Sequence, residues 1–198
     1  SFHERLNVAP AVTVTSEPAV VEGFIGPLTV TIGLVNGAEF SINDGAWTNI
    51  PASIEAGQSL RVRHTSAATV GEASETTVAI GLANGASRTA TVFRSVTSEP
   101  DTQPDAFDFG QIEHVQSDSL IESAVLTLTG FNLPAQVEVG PHAEYRIDGG
   151  GWTRARGSLG PEQTLQMRHV SNRPARSVRT THIKVGGVMD HFRTRTAA

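Results

Sequence analysis

The chain has no cysteine, one tyrosine, two tryptophans and two methionines among 198 residues, and Lys184 is its single lysine. Without cysteine there is neither a disulfide framework nor a thiolate metal site, and the redox compartment is left undecided. No apolar run is long enough to span a bilayer as a helix, so direct membrane insertion is not expected, and no signal peptide is present. No eleven-residue window has a convincing 3.6-residue period, which argues against helices. The sequence contains no Gly-x-Ser-x-Gly, no His-Glu-x-x-His and no glycine-rich phosphate loop leading into a helix, which removes the common catalytic signatures. A net charge of −5 argues against non-specific binding of nucleic acid.

What is present is a repeat. Glu39-Phe40-Ser41-Ile42-Asn43-Asp44-Gly45-Ala46-Trp47-Thr48 returns as Glu144-Tyr145-Arg146-Ile147-Asp148-Gly149-Gly150-Gly151-Trp152-Thr153, and both tryptophans lie in these copies. The offset of 105 also carries the stretch from Gln58 to Ser66 onto the stretch from Gln163 to Ser171. Upstream the offset is 107, so Gly23-Phe24 meets Gly130-Phe131 and Phe2 meets Phe109. The change of two residues falls near Asn36-Gly37, a turn, where indels are tolerated. The expected division is residues 1–98 as the first module, with its first strand truncated, 99–105 as a Pro-rich linker of extended, semi-stiff shape, and 106–198 as the second. A first copy that starts partway into a strand reads as a piece of a longer protein.

Each copy shows about seven short, alternating, β-branched stretches with turn signals between them, the pattern of a β-sandwich. In the second copy strands are expected at 107–109, 124–129, 136–139, 144–147, 152–156, 164–169, 181–185 and 191–196. Asn43-Asp44-Gly45 and Asp148-Gly149-Gly150 read as type I′ hairpin turns.

The order of motifs is a Phe-x-Phe opening after Pro-Asp, a Gly-Phe-x-x-Pro bend, Tyr-x-Ile-Asp-Gly-Gly-x-Trp-Thr, then Gln-x-Leu-x-x-Arg-x-x-Ser and a Val-Gly-Gly strand pair. This resembles the immunoglobulin-like or fibronectin type III-like repeats strung along large bacterial secreted and cell-surface proteins. The resemblance implies an all-β chain of two tandem Ig-like Greek-key sandwiches, at the cell surface or outside the cell. It implies spacing or adhesion, with neighbouring domains of the parent protein as first partners. Such repeats also accompany extracellular enzymes and phage tail proteins, so a virion decoration domain is a further reading.

Several residues invite chemistry. Trp47 and Trp152 could be stacking platforms of a carbohydrate-binding module, but recurrence in both copies favours tryptophans filling the space between two sheets. His64 and His169 recur in phase with Leu60 and Val62 or Leu165 and Met167, which favours structural histidines bonded to backbone. Asp101, Asp105 and Asp108 are the candidate calcium ligands at the linker. Charge is uneven: no Lys or Arg lies between Arg94 and Arg146, and nine arginines occur from Arg146 onward. That basic half, Arg154 and Arg156 beside Trp152 above all, could face an anionic surface polysaccharide.

Overall fold

The computed structural model describes residues 1–85 and 87–198. The chain divides into two units, Ser1–Glu99 and Pro100–Ala198. All of its regular structure is strand among the described residues.

In the first unit the strands are β1 (Arg5–Val8), β2 (Thr13–Thr15), β3 (Ala19–Val20), β4 (Leu28–Ile32), β5 (Glu39–Ile42), β6 (Ala52–Ile54), β7 (Ser59–Thr65), β8 (Ala73–Gly81) and β9 (Thr89–Thr97). One sheet runs β1-β9-β8-β4-β6. In the other, β7 is flanked by β2 and β3 end to end on one side and by β5 on the other. The β1–β9 pair is parallel and the remaining pairs are antiparallel.

The second unit repeats this with β10 (Gln111–Val115), β11 (Leu120–Glu122), β12 (Leu126–Thr127), β13 (Ala135–Val139), β14 (Ala143–Ile147), β15 (Gly157–Leu159), β16 (Thr164–Val170), β17 (Val178–Val185) and β18 (Val188–Thr196). Both units are Ig-like sandwiches with Greek-key crossovers between the sheets.

The cores follow from period-two alternation. In β7, Leu60, Val62 and His64 point inward, and in β16 Leu165, Met167 and His169 do. They meet Val30, Phe40, Ile54, Val78 and Phe93 in the first unit. In the second they meet Tyr145, Leu159, Ile183 and Phe192. The turns after β5 and β14 have the expected I′ form. Asn43 and Asp44 have φ of 49° and 53°, Asp148 and Gly149 have 49° and 68°, and each turn closes with an i to i+3 backbone bond.

Some expected strands are elsewhere. Residues 107–109 are irregular and β10 starts at Gln111, because Asp108 caps the Gly110 amide and Gly110 turns with φ 70°. The stretch 124–129 shrinks to β12, because the long strand breaks at Ser123, whose hydroxyl takes the Met167 amide in place of a ladder carbonyl. The broken half upstream, β11, was not foreseen. Residues 152–156 hold only an isolated bridge between Thr153 and Tyr145. There the chain leaves one sheet to join the other as β15.

Part of the Pro-rich stretch is fastened to the second unit. The Asp101 carbonyl accepts the amides of Asn132 and Leu133, the Asp105 amide donates to Thr129, and Pro104 is buried.

Candidate functional site

The tryptophans are not in either core, which corrects the expectation that they fill the space between the sheets. The core position of the motif belongs to Phe40 and Tyr145, two residues into β5 and three into β14. Trp47 and Trp152 follow the hairpin turns and lie half-buried on the outer face of the β7 and β16 sheets. Their alternation partners there are arginines. The Arg63 guanidinium carbon sits 4.5 Å from the Trp47 ring centre, and those of Arg146 and Arg168 sit 4.5 Å and 4.3 Å from that of Trp152. The attraction is that of a cation for the negative face of an aromatic ring.

Carboxylates on neighbouring strands complete each cluster. In the first unit Glu39, directly across from Arg63, takes its guanidinium at 2.8 Å, and Asp44 pairs with Arg61. In the second unit Glu144 pairs with Arg168 at 2.7 Å and with Arg154 at 3.5 Å, while Arg146 donates to Gln166 and pairs with Glu122. Arg156 pairs with Glu138 at 3.3 Å. Arg154 and Arg156 thus stand on the surface beside acidic partners, and only Arg154 shares the Trp152 cluster, through Glu144.

The histidines are buried, as expected, but their partners are hydroxyls and not backbone. His64 bonds Thr76 at 2.9 Å and Ser95 at 2.8 Å, and His169 bonds Thr181 at 2.8 Å and Thr194 at 2.7 Å. Each ring also packs on a phenylalanine, Phe93 at 4.7 Å or Phe192 at 4.6 Å. Each clamp ties one sheet to two adjacent interior strands of the other. Burial lowers the pKa of His64. Burial, with the charge of Arg179 added, lowers that of His169 to about 4. A neutral ring then has one donor and one acceptor nitrogen, and two hydroxyls satisfy both.

A wider framework of hydroxyls repeats with them. Ser16 and Ser123 bond the amides of Val62 and Met167, and Ser66 and Ser171 hold the carbonyls of Ala9 and Gln116. Sequence reasoning passed over these serines. The one signal for them was their recurrence at the repeat offsets, which Ser66 and Ser171 showed within the quoted motif.

The three aspartates do not come together as a metal site. Asp101 and Asp108 cap the amides of Gln103 and Gly110, and Asp105 accepts the Thr129 hydroxyl. Among the described residues no three His, Asp or Glu side chains converge to hold a metal. The Asp148 carboxylate at the second turn is also spoken for. The Thr164 amide and the Gln163 side chain hold it, and these bonds lower its pKa.

No family model and no curated protein matches the chain. Solved structures do. A chimeric titin Z1Z2 functionalized with an exogenous decorin peptide matches at TM-score 0.43 and 10% identity, covering 100% of this chain and 96% of that one. The McoA multicopper oxidase of Aquifex aeolicus matches at 0.29 and 8%, covering 98% of this chain and 57% of that one. The Ig-like fold is defined by the strand pairing itself. The class of protein it defines is a tandem of Ig-like β-sandwiches.

Proposed function

We propose that the chain is a non-catalytic, load-bearing spacer within a larger bacterial protein at the cell surface or outside the cell. One observation carries this reading. In each unit the first strand lies beside the last and runs parallel to it, β1 on β9 and β10 on β18. Parallel neighbours pulled from their opposite ends are loaded in shear, so their backbone bonds must break together. An antiparallel terminal pair would instead unzip one bond at a time. The inter-sheet histidine clamps and paired surface charges fit the same role, because the repeated polar groups are engaged within the fold.

Force spectroscopy on the full chain held by its two ends tests the reading. Two unfolding events of similar contour length are expected. Ile112→Pro, which disturbs the β10–β18 pair, should lower the force of one event while leaving the other unchanged. Unfolding of both units at forces near the detection floor, with no effect of Ile112→Pro, would remove the proposal. A glycan array run on the same protein covers the carbohydrate-binding alternative. Binding that disappears in Trp152→Ala would move the reading there.

A further inference from the structure

The first unit has a cavity of about 520 Å³ at one end of its sandwich, lined among others by Phe2, Val21, Glu22, Phe24 and Ile80. The second unit shows what belongs there. Phe107 packs against its core and lies edge-to-face on Phe109 at 6.0 Å, while Asp105 sits on the bend at Thr129 and Gly130. Under that segment Leu128, Phe131 and Val185 are buried. Their counterparts Val21, Phe24 and Ile80 are only half-buried in the first unit.

The two glycine cradles refine the comparison. In the second unit a methyl on Gly130 would overlap Asp105 and one on Gly186 would overlap Thr102. In the first unit the counterpart of Gly186, Gly81, is already covered by Ser87 and Arg88 of the longer β8–β9 hairpin. The counterpart of Gly130, Gly23, has open space above it. The rim differs as well. Val20 is 60% exposed and Ile25 fully exposed, where the second unit has Thr127 and Asn132.

We propose that this cavity is a docking seat for an extended peptide segment, supplied by the linker of a neighbouring module and placed as residues 105–107 are in the second unit. Its phenylalanine ring fills the cavity beside Phe2 and Phe24. Two residues earlier the segment carries a cation or a hydroxyl and not a carboxylate. The reason is Glu22, which replaces Thr129 at the bend and is, among the described residues, the one charged side chain lining the cavity. An aspartate there would face it at close range, whereas a lysine would complement it. The proposal deepens the spacer reading, since it makes each linker part of the module that follows.

The test fuses a tetrapeptide directly before Ser1 of the full chain and follows first-unit unfolding by Trp47 fluorescence in a Trp152→Phe background. Pro-Lys-Ala-Phe should raise the midpoint by about 5 °C, given the apolar area one buried phenylalanine removes from water. Pro-Asp-Ala-Phe should gain less, and Pro-Lys-Ala-Ala nothing. Hydrogen exchange at the amides of Val21 and Phe24 should slow most in the first fusion and not at all in the third. Identical midpoints in all three, or an equal rise in all three, overturns the proposal. The force experiment is independent of these fusions, so the spacer reading and the seat can fail separately.

Discussion

The two units share a polar skeleton and differ in how apolar groups fill the space around it. Both have the histidine clamp, the strand-break serine and the arginine over tryptophan. Yet Tyr145 lies against Gly157 in the second unit, where the corresponding positions of the first hold Phe40 and Ala52. The tyrosine needs the glycine, because its hydroxyl reaches past that position to the Ala155 carbonyl, and a methyl on Gly157 would occupy the same space. Buried hydrogen bonds have fixed directions and partners, so replacing one member strands the others. Apolar contacts are non-directional, and a change at one position can be absorbed at the next.

The largest break in the comparison should come from the clamps. His169→Ala leaves a cavity and two buried hydroxyls without their partner, and should cost the second unit about 3–5 kcal/mol in urea unfolding. Acid should have a related effect on the intact protein. A histidine whose folded pKa lies below its unfolded value stays neutral in the fold while the unfolded chain takes up a proton. The stability His169 contributes is therefore complete above about pH 6.5 and declines as pH falls toward its folded pKa of about 4. The loss should reach roughly 3 kcal/mol at the bottom of that window. His64 shifts in the same direction from burial alone, so the first unit should also weaken with acid, and Arg179→Gln should narrow the gap between the units. Stability that stays level from pH 7 to pH 4.5 would contradict both assignments.

A double-mutant cycle examines the Tyr145–Gly157 pair. Gly157→Ala alone should destabilise the second unit by about 1–3 kcal/mol through overpacking. With Tyr145→Phe added, the pair matches the one in the first unit and most of that loss should return. Equal losses in the single and double variants would mean that the methyl meets something other than the hydroxyl.

The repeat, the alternation and the I′ turns come from local chemistry, so the sandwich was legible in the sequence. So was the inward face of β7 and β16, because leucine, valine or methionine, and histidine share one phase. What the sequence concealed was sheet membership. Trp47 sits close to Phe40 along the chain and looks like the larger core candidate. The chain turns back after Asp44, however, and only the edge bridge at Thr48 remains before it crosses to the other sheet as β6. Which of two nearby aromatics enters the core depends on that crossover, a long-range property. The arginines over the tryptophans were hidden for a similar reason. Arg63 and Arg168 are known as outward residues from their own strands, but the ring they cover arrives from another part of the chain.

The smallest effect expected separates the two tryptophan clusters. Trp47 lies under one guanidinium and Trp152 under two, and these contacts lie at the surface. At such sites a cation–aromatic contact contributes about 0.5–1 kcal/mol. Beyond the loss of shared packing, Trp152→Leu should therefore cost the second unit more than Trp47→Leu costs the first, by about that amount. Added salt is the sharper probe. It screens the exposed Arg154–Glu144 pair, whereas the Arg168 side chain over the Trp152 ring is only 22% exposed and is screened less. The difference between the two leucine variants should thus persist at 1 M salt. A difference that vanishes with salt would show that the tryptophans matter only through the carboxylate pairs around them, and the covered-ring description of the two clusters would have to be given up.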